Sequence, residues 1–189
     1  MSLKVHSLCS SQEPIHSHTR VIFSLTNNED LRFIDMRKLG TIHLLPDKDF
    51  SYIPLLSEMG PEPLSSDFTF SSFEQRLGGR RGMIKSLLLD QRFVAGVGNI
   101  YGDEILFQAK IHPKRRAESL SKKEINRLYK CIKKVLQTAV DEHTNLVQRD
   151  DFILNFREEG ESCPRCDTDI EVVEIAGRHP YFCPRCQRI

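Results

Sequence analysis

Asp90-Gln-Arg-Phe-Val-Ala-Gly-Val-Gly-Asn-Ile-Tyr-Gly-Asp-Glu104 reads as the end of one helix, a glycine-bearing turn and the start of a second helix. Just ahead of it, Lys85 to Asp90 is helix-forming, with Leu87, Leu88 and Leu89 on an apolar side. Val94-Ala-Gly-Val-Gly98 then breaks that helix with residues that permit a close backbone turn. Asn99 stands where a helix N-cap belongs, and Ile100, Ile105, Leu106 and Ala109 fall near helical spacing beyond it. The second helix is therefore set to pack one side and leave its amino end open. Unpaired N–H groups and a positive dipole make such an end a seat for phosphate. The same pattern fits an ordinary helical hairpin inside a core, and the stretch alone does not choose.

On the carboxyl side, Ile111-His-Pro-Lys-Arg115 stops the helix, and Ser121-Lys-Lys-Glu124 is a capping box that starts another. Ile125, Leu128, Ile132, Val135, Leu136, Ala139 and Val140 then hold a helical stripe for several turns. Around this junction Lys110, Lys114, Arg115, Arg116, Lys122, Lys123, Arg127, Lys130, Lys133 and Lys134 face only Glu118 and Glu124. A solvated helix face and a positive field beside the open helix end both account for such a run. From Thr144 to Gly160 the chain reads as a linker with an apolar patch at Phe152, Ile153, Leu154 and Phe156.

On the amino side, Phe68, Phe70, Phe73 and Leu77 suggest a short amphipathic helix ending at Gly78-Gly79, with Arg80 and Arg81 directly after it. Pro46 to Pro63 is a loop punctuated by prolines. Further back, Thr19 to Leu25, Leu31 to Asp35 and Thr41 to Leu45 are predicted strands of a three-strand meander. Three strands have little apolar area of their own, so the meander needs a partner. Its exposed strands are expected to invite pairing with a second copy of the chain.

The 189 residues allow one to two compact units with a small appendage, and the formal net charge of +1 names no partner by itself. No run of about 18 apolar residues exists, and the amino terminus lacks a basic-then-apolar signal pattern, so a soluble, intracellular protein without a membrane partner is expected. Cys9 and Cys131 read as unpaired thiols. The other four cysteines are different. Cys163-Pro-Arg-Cys166 and Cys183-Pro-Arg-Cys186 are C-x-x-C pairs separated by sixteen residues. That spacing places four thiolates at the corners of a tetrahedron, the closed geometry of one structural Zn²⁺. Ile170 to Ile175 and Tyr181-Phe182 read as a hairpin between the pairs, with Arg178 at its tip. So small a module depends on its metal for stability. Arg178 is either a solvated turn charge or a phosphate contact held by a metal-locked tip.

Together these residues resemble the formamidopyrimidine-DNA glycosylase and endonuclease VIII family, from about residue 15 to the end. The resemblance lies in Val94 to Phe107 with Ile111 to Arg115, its helix-two-turn-helix signature. It extends to Gly60-Pro-Glu-Pro-Leu64, to Phe33-Ile-Asp-Met-Arg-Lys-Leu-Gly40 and to the finger from Cys163 to Gln187. It implies an α+β protein that binds damaged or abasic double-stranded DNA in base-excision repair, a glycosylase and AP lyase acting on oxidised purines. It further implies that Asn99 holds backbone phosphate. Arg178 grips phosphate and is assigned the proton-donor role in δ-elimination. His16, Arg37, Arg80 and Lys85 are counted with the DNA contacts.

The family begins with a proline nucleophile and a glutamate. Here the chain starts Met1-Ser2-Leu3. The expectation is therefore a DNA-binding carboxyl-terminal portion, catalytically incompetent alone, that pairs with a second copy or with a missing amino-terminal lobe. Leu39 stands where the formamidopyrimidine branch usually carries an aromatic wedge. The expected parts are residues 1–48 (remnant of a β-sandwich lobe), 49–158 (helix-two-turn-helix domain) and 159–189 (zinc finger). The location follows the DNA, cytoplasmic in a bacterium or nuclear in a eukaryote. The alternative is a zinc-ribbon transcription or ribosomal protein that binds nucleic acid without repairing it.

Overall fold

The computed structural model describes residues 6–47, 49–141 and 151–189. Met1 to Leu3 and the first part of the linker read from Thr144 lie outside the described residues. The chain divides into two compact units, one ending at Phe50 and one covering Ser51–Ile189. The α+β architecture expected from the sequence forms, with one small sheet in the first unit and helices plus a second small sheet in the other.

In the first unit β1 (His6–Ser10), β2 (Thr19–Ser24) and β3 (Glu29–Ile34) pair antiparallel in the order β1-β3-β2. The third strand thus comes from residues 6–10, and the strand predicted over Thr41 to Leu45 does not form. The reason lies in Asp35, whose carboxylate accepts N–H bonds from Arg37 (3.0 Å), Lys38 (2.9 Å) and Gly40 (2.7 Å). Those bonds, the one from Gly40 above all, hold the Asp35 carboxyl below its ordinary range. They also wind the chain into a turn, with Lys38 at φ 57°. The residues that follow leave the sheet, and Leu44 is 98% exposed. One face of the sheet is closed by charge rather than by apolar packing. Arg32 is buried on Asp30 at 3.0 Å and donates to the carbonyl of Pro14. On the other face Leu8, Leu31 and Phe23 form one cross-strand row and are all exposed, Leu8 by 58%.

The second unit begins with α1 (Pro54–Ser57) and α2 (Phe70–Leu77), the latter capped by Thr69 and Ser72 in a reciprocal box. Next come α3 (Ile84–Leu89), α4 (Asn99–Ala109) and α5 (Lys122–Asp141). Glu124 closes the capping box at the start of α5 by accepting from the Ser121 N–H at 2.8 Å. Phe68, Phe73, Ile84, Leu88, Phe93, Ile105, Leu128 and Ile132 form one continuous core between these helices. The predicted aromatic pattern of α2 is used there, with Phe73 ringed by Phe68, Phe93 and Tyr129. A single 3-10 turn at Ile153–Phe156 then leads into a hairpin of β4 (Glu171–Val172) and β5 (Tyr181–Phe182).

Candidate nucleic-acid interface and zinc finger

The turn between α3 and α4 is braced from inside. Gln91 donates from Nε2 to the Val97 carbonyl at 3.0 Å and accepts the Gly96 N–H at 2.9 Å. Gly96 sits at φ 77°, in the left-handed region that favours glycine. Gly60 lies against the far side of this turn, where a Cβ would meet the Phe93 backbone at 2.7 Å. That close approach gives the Gly60-Pro-Glu-Pro motif a physical reason. Gly98, extended, is the N-cap of α4, and no side chain caps the helix. The expectation that Asn99 caps it is corrected: the turn ends one residue earlier, and Asn99 is the first helical residue. The first-turn N–H groups of α4 therefore have no intrahelical partner, and the amide oxygen of Asn99 is buried without a hydrogen-bond partner.

Lys85 lies beneath that first turn. Its side chain is wholly buried, its Nζ donating to the Asn99 carbonyl at 2.7 Å and lying 2.6 Å from Asp103 Oδ1. Burial pulls the Lys85 ammonium below its ordinary value and pushes the Asp103 carboxyl above its own, while the contact between them opposes both shifts. The ammonium is thus held by the protein itself, matched by the Asp103 carboxylate and the carbonyl at the start of α4. Arg80 is exposed, its guanidinium 6.0 Å from the Phe93 ring centre. Part of the basic run is committed to structure. Arg115 pairs with Glu124, Arg116 with Glu118, Lys122 with Glu74, and Arg127 donates to the Ala109 carbonyl.

The four finger cysteines bring their sulfurs within 4.8 Å of one another, Cys166 lying 3.5 Å from Cys183 and 3.4 Å from Cys186. A tetrahedral Zn²⁺ with bonds near 2.3 Å sets sulfurs about 3.8 Å apart, so the four fit one zinc with no coordination position left open. The finger is docked on α4. Arg165 donates to the Phe107 carbonyl and lies 4.1 Å over its ring. Gln187 accepts the Cys183 N–H and donates to the Ile111 carbonyl at 3.0 Å. At the hairpin tip Ala176 and Gly177 take positive φ, and Ile175 and Arg178 exchange backbone hydrogen bonds at 2.9 and 3.0 Å. Arg178 is exposed there.

Asn99, Lys85, Arg80 and Arg178 thus belong to one compact unit, and His16 and Arg37 to the other. His16 is exposed and accepts the His18 N–H at its Nδ1. Arg37 lies exposed on the turn tied by Asp35, and Leu39 projects from the same turn with 74% exposure. Sequence reasoning missed Asp103, Arg157 and Gln187. An acid inside the apolar stretch of α4 was a legible sign of a buried partner. Nothing local marks Arg157 or Gln187, whose partners lie far along the chain.

Fold and site together define a helix-two-turn-helix protein with a carboxyl-terminal four-cysteine zinc finger. The sequence profile "Formamidopyrimidine-DNA glycosylase H2TH domain" matches residues 59–150, and "Zinc finger found in FPG and IleRS" matches 160–189. Formamidopyrimidine-DNA glycosylase of Desulforamulus reducens is 40% identical over 192 residues, covering 95% of this chain and 69% of the relative. That of Symbiobacterium thermophilum is 43% identical over 193 residues, covering 96% and 63%. A solved complex of the Lactococcus lactis enzyme with abasic-site DNA superposes with a TM-score of 0.85 at 32% identity, covering 97% of this chain and 71% of that one. The chain belongs to the formamidopyrimidine-DNA glycosylase family.

Proposed function

We propose that this chain binds double-stranded DNA at a damaged or abasic nucleotide, as part of base-excision repair of oxidised purines. The observation that carries the reading is the amino end of α4. There an uncapped first turn, an unpartnered Asn99 amide oxygen and a buried Lys85 ammonium meet in a family whose Lactococcus lactis member has been solved on abasic-site DNA. Asn99 and Arg178 hold backbone phosphates, Arg80, Arg37 and His16 add contacts, and Lys85 acts from beneath. Residues 1–48, 49–158 and 159–189 are the working parts of this reading. In the family reading Arg178 also donates the proton of the second elimination. A bacterial cytoplasm holding the chromosome is the matching location, and no described helix is long and apolar enough to cross a membrane. The exposed Leu8–Leu31–Phe23 row is the feature that speaks for self-association.

Fluorescence anisotropy with three probes tests this: a duplex carrying a tetrahydrofuran abasic analogue, an intact duplex and a structured RNA. The abasic duplex is expected to bind most tightly. Asn99→Ala and Arg178→Ala should each weaken it by about tenfold, within the usual 1–3 kcal/mol of a lost contact, without loss of zinc. Equal affinity for intact and abasic duplex, or preference for RNA, would sink the repair reading in favour of a zinc-ribbon factor.

A further inference from the structure

Asp103 gathers three separate parts of the second unit onto one buried carboxylate. Its Oδ1 lies 2.6 Å from Lys85 Nζ on α3, and its Oδ2 accepts from Arg157 Nη2 at 2.8 Å, just ahead of the finger. The backbone N–H of Tyr181 on β5, three residues from the hairpin's Arg178, faces the same carboxyl and works against the upward push of burial. Arg157 in turn lies 5.0 Å from the Tyr181 ring centre, a cation stacked on an aromatic face. On the opposite side Lys85 reaches the Asn99 carbonyl at 2.7 Å. A Cβ at Gly102 would meet Lys85 Nζ at 2.8 Å, so the end of the lysine would have to shift to make room for one.

We propose that Asp103 and Arg157 are positioning residues that hold the zinc-finger hairpin in fixed register with the first turn of α4, so that Arg178 and Asn99 grip one DNA backbone together. The proposal rests on the DNA-binding reading above and adds to it which residues couple the two grips. Neither residue touches DNA in this scheme. The buried carboxylate fixes Arg157 with a charge-assisted bond, and Arg157 in turn holds the Tyr181 ring, so the hairpin cannot rock without disturbing that stack. Two fixed contacts then bind as one unit, whereas two loosely linked contacts each bear their own ordering cost.

Arg157→Gln in the full zinc-loaded chain is the test, since Arg157 is partly exposed and lies outside the apolar core of the helices. Two measurements are made. In DNA-free protein, hydrogen exchange at Tyr181 and the hairpin tip is expected to accelerate several-fold, with the Cys166 and Cys186 amides still protected and the zinc content unchanged. On the abasic duplex the variant is expected to bind roughly fivefold more weakly, and the coupling between Asn99→Ala and Arg178→Ala present in the parent should vanish in its background. Arg157→Lys should recover part of the affinity by restoring the charge. Unchanged exchange at Tyr181, or an Asn99–Arg178 coupling that survives the substitution, would overturn the proposal. Faster exchange in the variant, together with a parent chain that binds no duplex, would keep the strut and remove the DNA reading instead, so the two failures are distinguishable.

Discussion

At the scale of single residues, chemistry and burial compete most sharply at Glu104. Its carboxyl is wholly buried beside Asp103 on α4, accepting from Gln108 Nε2 at 2.7 Å and from the Leu154 N–H at 3.2 Å. Burial outweighs those bonds and pushes the group up to about 7, against an ordinary 4.5. Below pH 4.5 the carboxyl is protonated in the folded and the unfolded chain alike, and its contribution to stability is at its maximum. As pH rises from 4.5 to about 7 the unfolded chain ionises first, and stability on the order of 3 kcal/mol is lost and stays lost above 7. Glu104→Gln cannot ionise. Urea titrations should therefore show the variant gaining on the parent by about that amount between pH 4.5 and 8. A stability difference that stays flat across the window would show that Glu104 does not titrate as described. The same helix shows what a sequence makes visible. Asn99 and Arg178 stand out because turn glycines and cysteine spacing frame them. Asp103 carries the same local signature as any helical acid, and its meaning lies in Arg157, 54 residues away.

Elements divide in the same way. α5 was legible from its capping box and stripe because its stability is written in neighbouring residues, and Leu128, Ile132, Val135 and Leu136 are buried as the spacing required. The strand predicted at Thr41 to Leu45 was not, because alternation there says nothing of the side-chain bonds by which Asp35 turns the chain away. Nor does it reveal that residues 6–10 reach the free edge of β3 first. The finger is legible for a different reason, since metal spacing overrides weak strand propensity. Its buried residues Cys163, Ile170 and Cys183 share one small cluster with Phe107 and Ile153. Two strands of two residues cannot hold that cluster alone, so the metal supplies folding energy on the order of 10 kcal/mol to this element. Stripping zinc with a strong chelator should unfold residues 160–189 and cost at least tenfold in affinity for the abasic duplex. The helical signal of α3 to α5, whose core is separate, should persist. Circular dichroism and amide exchange on the same sample check both halves. An intact finger after complete zinc loss would contradict the closed tetrahedral site.

For the molecule as a whole, the two units hold very unequal shares of apolar burial. The continuous core runs from Phe68 to Leu136, entirely within the second unit. The first unit buries the Asp30–Arg32 pair and leaves Leu8, Phe23 and Leu31 exposed on the opposite face of its sheet. A buried ion pair is weak evidence of stability, because desolvation offsets most of the attraction, whereas each fully buried Leu, Ile or Phe contributes about 1.5–3 kcal/mol. The sheet therefore opens at lower free energy than the helices, and local stability is set by which apolar groups each part has covered. Amides of Leu31 and Phe33 should exchange at least tenfold faster than those of Ile105 and Leu128 in the dilute, DNA-free chain. Raising the protein concentration should slow the sheet amides and leave the helix amides unchanged if a second copy covers the exposed row. Uniform protection across both units at low concentration would mean that the sheet face is already covered and that its stability does not follow from its own residues.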